Sequence, residues 1–296
     1  MSRVIVKAIE DRPKLRYGIY LPNFGEVAYA RTLTDLAVES ESAGWDGFFL
    51  WDHVLHSKTQ RSPMVDSLTT LAAMAVSTER IRIGTTITPL ARRRPWIVAR
   101  QTVTIDHLSN GRLILGVGLG DPRYADFEMF GESGGFKVRA EKLDEGLEIL
   151  TGLWSGKPFS YKGRHYQIEK TLFQPAAKQK PRIPIWVGGF WPNKAPFRRA
   201  AKYDGVIPLR LARPIRPEPK DLRNILEYIR QYRTSSTGFD VAVIGGGTGK
   251  SHTEDAKKLQ PFAEAGMTWW LESFFLQRNS HKEMRKRIRQ GPPRIS

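Results

Sequence analysis

Eight times along this chain, a short run of β-branched and aromatic residues gives way to a stretch with apolar residues at helical spacing. LRYGIYLP is followed by ARTLTDLAVESESAG, DGFFL by DSLTTLAAMAVST, RIRIGTTI by PWIVARQTVTIDHLS, and RLILGVGLG by VRAEKLDEGLEILTGLW. IPIWVGG leads to APFRRAAKY, DGVIPL to KDLRNILEYIRQY, FDVAVIGG to TEDAKKLQPFAEAG, and MTWWLESFF to a basic C-terminal helix. Strands that alternate with helices pair in parallel through right-handed crossovers. Eight such units in 296 residues match the count and length of a (β/α)8 TIM barrel. A doubly wound sheet would need fewer units or a second domain, and no linker marks a boundary. Residues 1–296 therefore read as a single α/β barrel domain with one insertion. The insertion is SGKPFSYKGRHYQIEKTLFQP, about residues 155–175. Its short alternating runs around Lys162 and Gly163 predict a hairpin between the fourth helix and the fifth strand.

A barrel carries its active site at the C-terminal ends of its strands. Those ends read Pro22-Asn23-Phe24, Trp51-Asp52-His53, Thr85-Thr86-Ile87 and Gly118-Leu119-Gly120-Asp121 in the first half. In the second half they read Gly188-Gly189-Phe190, Pro208-Leu209-Arg210, Gly245-Gly246-Gly247-Thr248 and Glu272-Ser273. Three ends are glycine-rich, which lets bare backbone approach a ligand. That pattern suits a large flat molecule, with or without a phosphate. Asp52-His53 is the most reactive pair, because histidine titrates near neutrality and suits proton transfer. His56 follows three residues on, without a third ligand, so no metal site is expected. His107, His165, His252 and His281 read as structural or exposed. The chain has no cysteine, which removes thiolate chemistry and disulfides.

VIGGGTGKS, residues 243–251, imitates a phosphate loop. The motif needs glycine five residues before Gly249, and Ile244 stands there. The next helix is predicted to start later, with Thr253 as its cap and Glu254 and Asp255 in its first turn. Acid at that position complements the helix dipole and repels phosphate. Likewise Gly116, Gly118 and Gly120 are spaced two apart and fail the dinucleotide fingerprint.

Lysine and arginine exceed aspartate and glutamate by 47 to 30, a net charge of +17. The excess clusters at Arg92–Arg94 and in KEMRKRIR at 282–289, without interleaved aromatics, so nucleic acid is disfavoured as a partner. No apolar run approaches the ~18 residues of a membrane span, and no signal-peptide core is visible at the start. The cytoplasm is the expected compartment.

Taken together, GWDGFFLWDHV, SNGRLILGVGLG, the FGE…VRAEKLDEGLEILTGLWSG block, PIWVGGFWPNKAPFRRAAKYDGVIP and FDVAVIGGGTG…AEAGMTWWLE resemble the luciferase-like flavin and deazaflavin oxidoreductases. The likeness runs from Tyr17 to about Pro293. It implies an oxidoreductase or monooxygenase that acts on a small organic substrate with reduced FMN or the deazaflavin coenzyme F420, the two not being separable by sequence. Carried over by position, Asp52 and His53 match the ring-binding and proton-handling pair. Asp121 falls where some members place a glutamate acid. Thr86 and Ile87 match a backbone bulge behind the ring, and Gly118, Leu119 and Gly120 line it. Arg139 with Gly188, Gly189 and Phe190 match the phosphate side, although the general barrel rule favours Gly246 to Thr248. Phe24, Trp51, the Tyr124 to Phe136 loop, Trp191 and Trp270 would then form an aromatic substrate wall. The resemblance also implies a homodimer. A non-catalytic flavin-binding barrel and an anion- or nucleic-acid-binding protein are the alternatives.

Overall fold

Strand β4 (Leu113–Gly118) is buried at all six positions. A strand covered on both faces needs such a continuous apolar run rather than an alternating one. In the computed structural model, which describes residues 15–274 and 280–295, β4 is one of eight barrel strands. The others are β1 (Arg16–Leu21), β2 (Gly47–Leu50) and β3 (Arg82–Pro89), and, beyond a hairpin of β5 (Pro158–Lys162) and β6 (Gln167–Leu172), β7 (Ile185–Trp191), β8 (Gly205–Arg210), β9 (Asp240–Gly245) and β10 (Trp269–Ser273). Hydrogen-bonded neighbours follow the closed order β1-β10-β9-β8-β7-β4-β3-β2. This is the expected (β/α)8 barrel. The stretch at 1–14 and Phe275, the end of the predicted eighth strand, lie outside the described residues.

The helices are α1 (Ala30–Ser42), α2 (Ser67–Ser77), α3 (Pro95–Leu108), the single turn α4 (Arg123–Asp126), α5 (Phe136–Trp154), α6 (Ala195–Ala200), α7 (Pro219–Arg230), α8 (His252–Glu264) and α9 (His281–Arg289). Local chemistry sets their starts. Asp66 caps α2 by accepting from Thr69 N. Pro95 opens α3, where a missing N–H costs nothing. A reciprocal box of Glu218 and Asp221 opens α7, which buries Leu222, Ile225 and Ile229 along one stripe. Among the described residues no helix is long and apolar enough to cross a membrane.

By packing, the chain divides into two compact units. Among the described residues, the first draws on 15–21, 39–49, 185–274 and 280–295, the second on 22–38 and 50–184. In the first unit, the rings of Phe49, Trp186 and Trp269 pack with centroids 5.2–5.7 Å apart. The basic α9 is held by its own charges: Arg285 and Arg289 both bond Glu39. Arg287 lies over Trp45, whose Nε1 donates to Ile288 O at 2.9 Å. In the second unit, the antiparallel hairpin sits at the predicted insertion. Glu145 of α5 pins its tip by accepting from the N–H groups of Arg164, His165 and Tyr166. His165 adds a 2.8 Å bond to Glu141.

Candidate active site

The chemistry-bearing residues of the second unit gather where the chain leaves β1 and β2. Asn23 is fully buried. Its Nδ2 donates to the carbonyls of His53 (2.8 Å) and Val65 (2.7 Å), and its Oδ1 accepts from His53 N (3.2 Å). One side chain thus fixes the His53 backbone from both sides.

The His53 ring is fixed by a residue 73 positions away. Nδ1 lies 2.8 Å from Oδ2 of Asp126 in α4. The other oxygen of Asp126 accepts from Val54 N (2.8 Å) and Leu55 N (3.3 Å), and Arg92 stands 3.6 Å away. Burial works against ionising Asp126. The His53 bond, the Arg92 charge and the Val54 N–H outweigh it and hold the carboxyl below its usual range. An ionised acceptor there keeps the proton on Nδ1 and leaves Nε2 to exchange one.

Asp52 has another task from the one the resemblance implied. Its two oxygens accept from the Arg93 fork at 3.1 and 2.7 Å, and Arg92 adds a contact at 3.3 Å. The Asp52 side chain is only 1% exposed and faces guanidinium groups, while the His53 ring bonds Asp126 instead. Two of the three arginines at 92–94 are therefore internal counter-charges.

Phe24 and Trp51 do come together beside His53. Phe24 is 5.7 Å from Trp51 and 6.0 Å from His53, and it stacks on His56 at 4.2 Å with an 18° tilt. In β3, pairing with β4 is irregular between Thr85 and Thr88, and the Thr86–Ile87 peptide is cis. Thr86 Oγ1 is buried with no hydrogen-bond partner. Gly116 makes this approach possible, because an added Cβ would lie well inside contact distance of Thr85 O. Gly116→Ala is expected to cost about 1–3 kcal/mol by overpacking. Thermal unfolding measures it, and an unchanged midpoint would show that the bulge tolerates movement.

Arg139 uses one nitrogen on backbone carbonyls, and its Nε is buried without a hydrogen-bond partner. It is 1% exposed, lies between Phe127 and Phe136, and donates to Leu119 O (2.9 Å) and Gly120 O (2.6 Å). It fastens the turn that ends β4. Burial lowers its pKa. Asp121 follows that turn and is exposed.

The remaining expected residues belong to the first unit. Gly188, Gly189 and Phe190 lie inside β7, paired with Ile207, Pro208 and Leu209, and not in a loop beyond it. Trp191 packs on Phe197 and lies under the Lys194 ammonium. Trp270 is fully buried, packs on Phe262 of α8 and donates to Glu272 at 2.7 Å, so its ring faces the helix layer. VIGGGTGKS is tied down by its own chain. Thr248 donates to Glu272 and Arg287 donates to Thr248 O. The cap of α8 is Ser251, which accepts from Glu254 N, and not Thr253. The helix thus starts earlier than predicted, yet Gly249 N is already bonded to Asp255. Lys250→Ala is expected to leave coenzyme affinity within twofold. A loss above tenfold, about 1.4 kcal/mol, would return phosphate binding to this loop.

Sequence reasoning missed Asp126 and Arg92. Asp126 offered only an acid within the otherwise aromatic YADF, and nothing local relates it to His53.

The chain belongs to the luciferase-like monooxygenase family, whose model matches residues 15–245. It is an oxidoreductase of the flavin- or deazaflavin-dependent kind. Among its relatives, an uncharacterised protein of Mycobacterium bovis is 32% identical over 60% of this chain and 67% of its own. The F420-dependent glucose-6-phosphate dehydrogenase of Amycolatopsis mediterranei is 31% identical over 60% of this chain. The match spans 53% of that enzyme, about half its length. Among solved structures, an F420-dependent secondary alcohol dehydrogenase in complex with an F420-acetone adduct superposes with a TM-score of 0.73. It is 18% identical, over 88% of this chain and 93% of that one, a likeness of fold.

Proposed function

We propose that this protein interconverts a hydroxyl and a carbonyl on a small organic substrate with coenzyme F420, using His53 as the proton carrier. The observation that carries this reading is the His53–Asp126 bond of 2.8 Å, with Asp126 fully buried. The named relatives supply the reaction class, since both an F420-dependent glucose-6-phosphate dehydrogenase and an F420-dependent secondary alcohol dehydrogenase act on hydroxyls.

The second unit offers features that fit a flat ring. Thr86 Oγ1 is a buried polar atom without a partner, and the Gly118-Leu119-Gly120 backbone is bare and braced by Arg139. These residues would hold the coenzyme, which supplies the hydride acceptor when bound. His53 takes the hydroxyl proton at Nε2 in the oxidising direction and returns it in the reverse direction. Asp126 keeps the ring in that tautomer and stabilises the imidazolium. Phe24 and Trp51 give the substrate an apolar wall and exclude water.

Titrating the apoprotein with F420 and with FMN tests the reading. Saturable binding of F420, tighter than FMN, is expected. Preference for FMN would point to oxygen-using monooxygenase chemistry instead, and no binding of either would overturn the proposal.

A further inference from the structure

His56 has no role in the scheme above, yet it sits in the same cluster. Its ring stacks on Phe24 and lies 5.2 Å from the His53 ring in a T-shaped arrangement. Its Nδ1 is buried and has no hydrogen-bond partner. A buried polar atom left unpaired costs free energy, so native structures pair such atoms with protein, water or ligand. The Phe24 stack orients the imidazole, so its free nitrogen is presented in a defined direction.

We propose that His56 is a substrate-recognition residue, whose Nδ1 takes a hydrogen bond from an uncharged, hydroxyl-bearing ring compound lying against Phe24 and Trp51. The inference rests on the function proposed above and names the class of substrate. A hydroxyl both donates and accepts, so it satisfies Nδ1 in either tautomer. A carboxylate or phosphate is disfavoured at this point, because the charges of Asp126 and Asp121 both reach His56. Burial, reinforced by the neighbouring His53, keeps the His56 pKa below its usual value, so the ring is neutral when substrate binds. The aromatic faces of Phe24 and Trp51 accept a ring by apolar contact.

The test compares cyclohexane-1,4-diol with cyclohexanol, so that one hydroxyl meets His53 and only the diol has a second for His56. Both are titrated against protein loaded with reduced F420, which takes no further hydride, and followed by tryptophan fluorescence. Wild type is expected to bind the diol at least tenfold more tightly. His56→Phe keeps a ring on Phe24 but removes the nitrogen, and should bring the two ligands within twofold while the F420 Kd stays unchanged. His56→Asn restores a short polar group and should recover part of the preference. In wild-type protein, the 15N resonance of His56 Nδ1 should shift on adding the diol and not on adding cyclohexanol. An undiminished preference in His56→Phe, or a silent Nδ1 resonance in the wild type, would overturn the role of His56 with F420 still bound. Failure to load F420 at all would instead strike the proposed function, and the inference with it.

Discussion

Asp126→Asn is expected to lower kcat by about 10²- to 10⁴-fold while the protein stays folded. The reason lies in which oxygen does what. One oxygen of Asp126 accepts from Val54 N and Leu55 N, and the other faces His53 Nδ1. In the amide, the carbonyl must stay with the two backbone N–H groups. The NH2 then meets His53, whose Nδ1 must accept. The ring proton moves to Nε2, and the atom that should take the substrate proton already carries one. Because Asp126 acts through His53, its effect should fall on kcat more than on KM. The F420 Kd should stay within twofold. A kcat within threefold of wild type would remove the pair from the mechanism.

The second large effect concerns stability. Asp52→Ala leaves the Arg93 and Arg92 guanidinium groups, 16% and 6% exposed, without their shared carboxylate. Breaking one side of a buried ion pair costs about 3–5 kcal/mol, which in a protein of this size is a fall in thermal midpoint of roughly 5–8 °C. His53→Ala leaves Asp126 with Val54 N, Leu55 N and Arg92, so it should cost less stability and nearly all activity. The two neighbours therefore separate on two axes, one read by calorimetry and one by turnover. If Asp52→Ala kept the wild-type midpoint and lost only turnover, the proton-handling role that the resemblance implied for Asp52 would return.

How much was visible beforehand follows from the range of each interaction. The barrel was legible because strand and helix periodicity are local, and so was the hairpin, whose turn lies within its own segment. Phe24, Trp51 and His53 were legible because strand ends in a barrel converge. Asp126 was not, since its partner lies 73 residues back and a one-turn helix leaves no periodic trace. The arginines at 92–94 read as surplus charge because sequence does not show counter-ions such as Asp52 and Asp66. Trp270 was misread because the side of a buried strand on which a residue falls depends on phase, and both faces of β10 are apolar enough to hide it. Thr253 lost the cap to Ser251 because two hydroxyl residues stood close together and hydrogen-bond geometry chose between them.

The division of the chain has a consequence for how the protein is made. All of the second unit has been made once the ribosome has delivered Pro184. The first must wait for β10, near the end of synthesis, because its pieces lie at both extremes of the chain. Asn23, His53 and Asp126 thus all belong to a unit finished about 85 codons before β10 begins at Trp269. The histidine proposed as proton carrier can meet its carboxylate on a nascent chain whose barrel is still open.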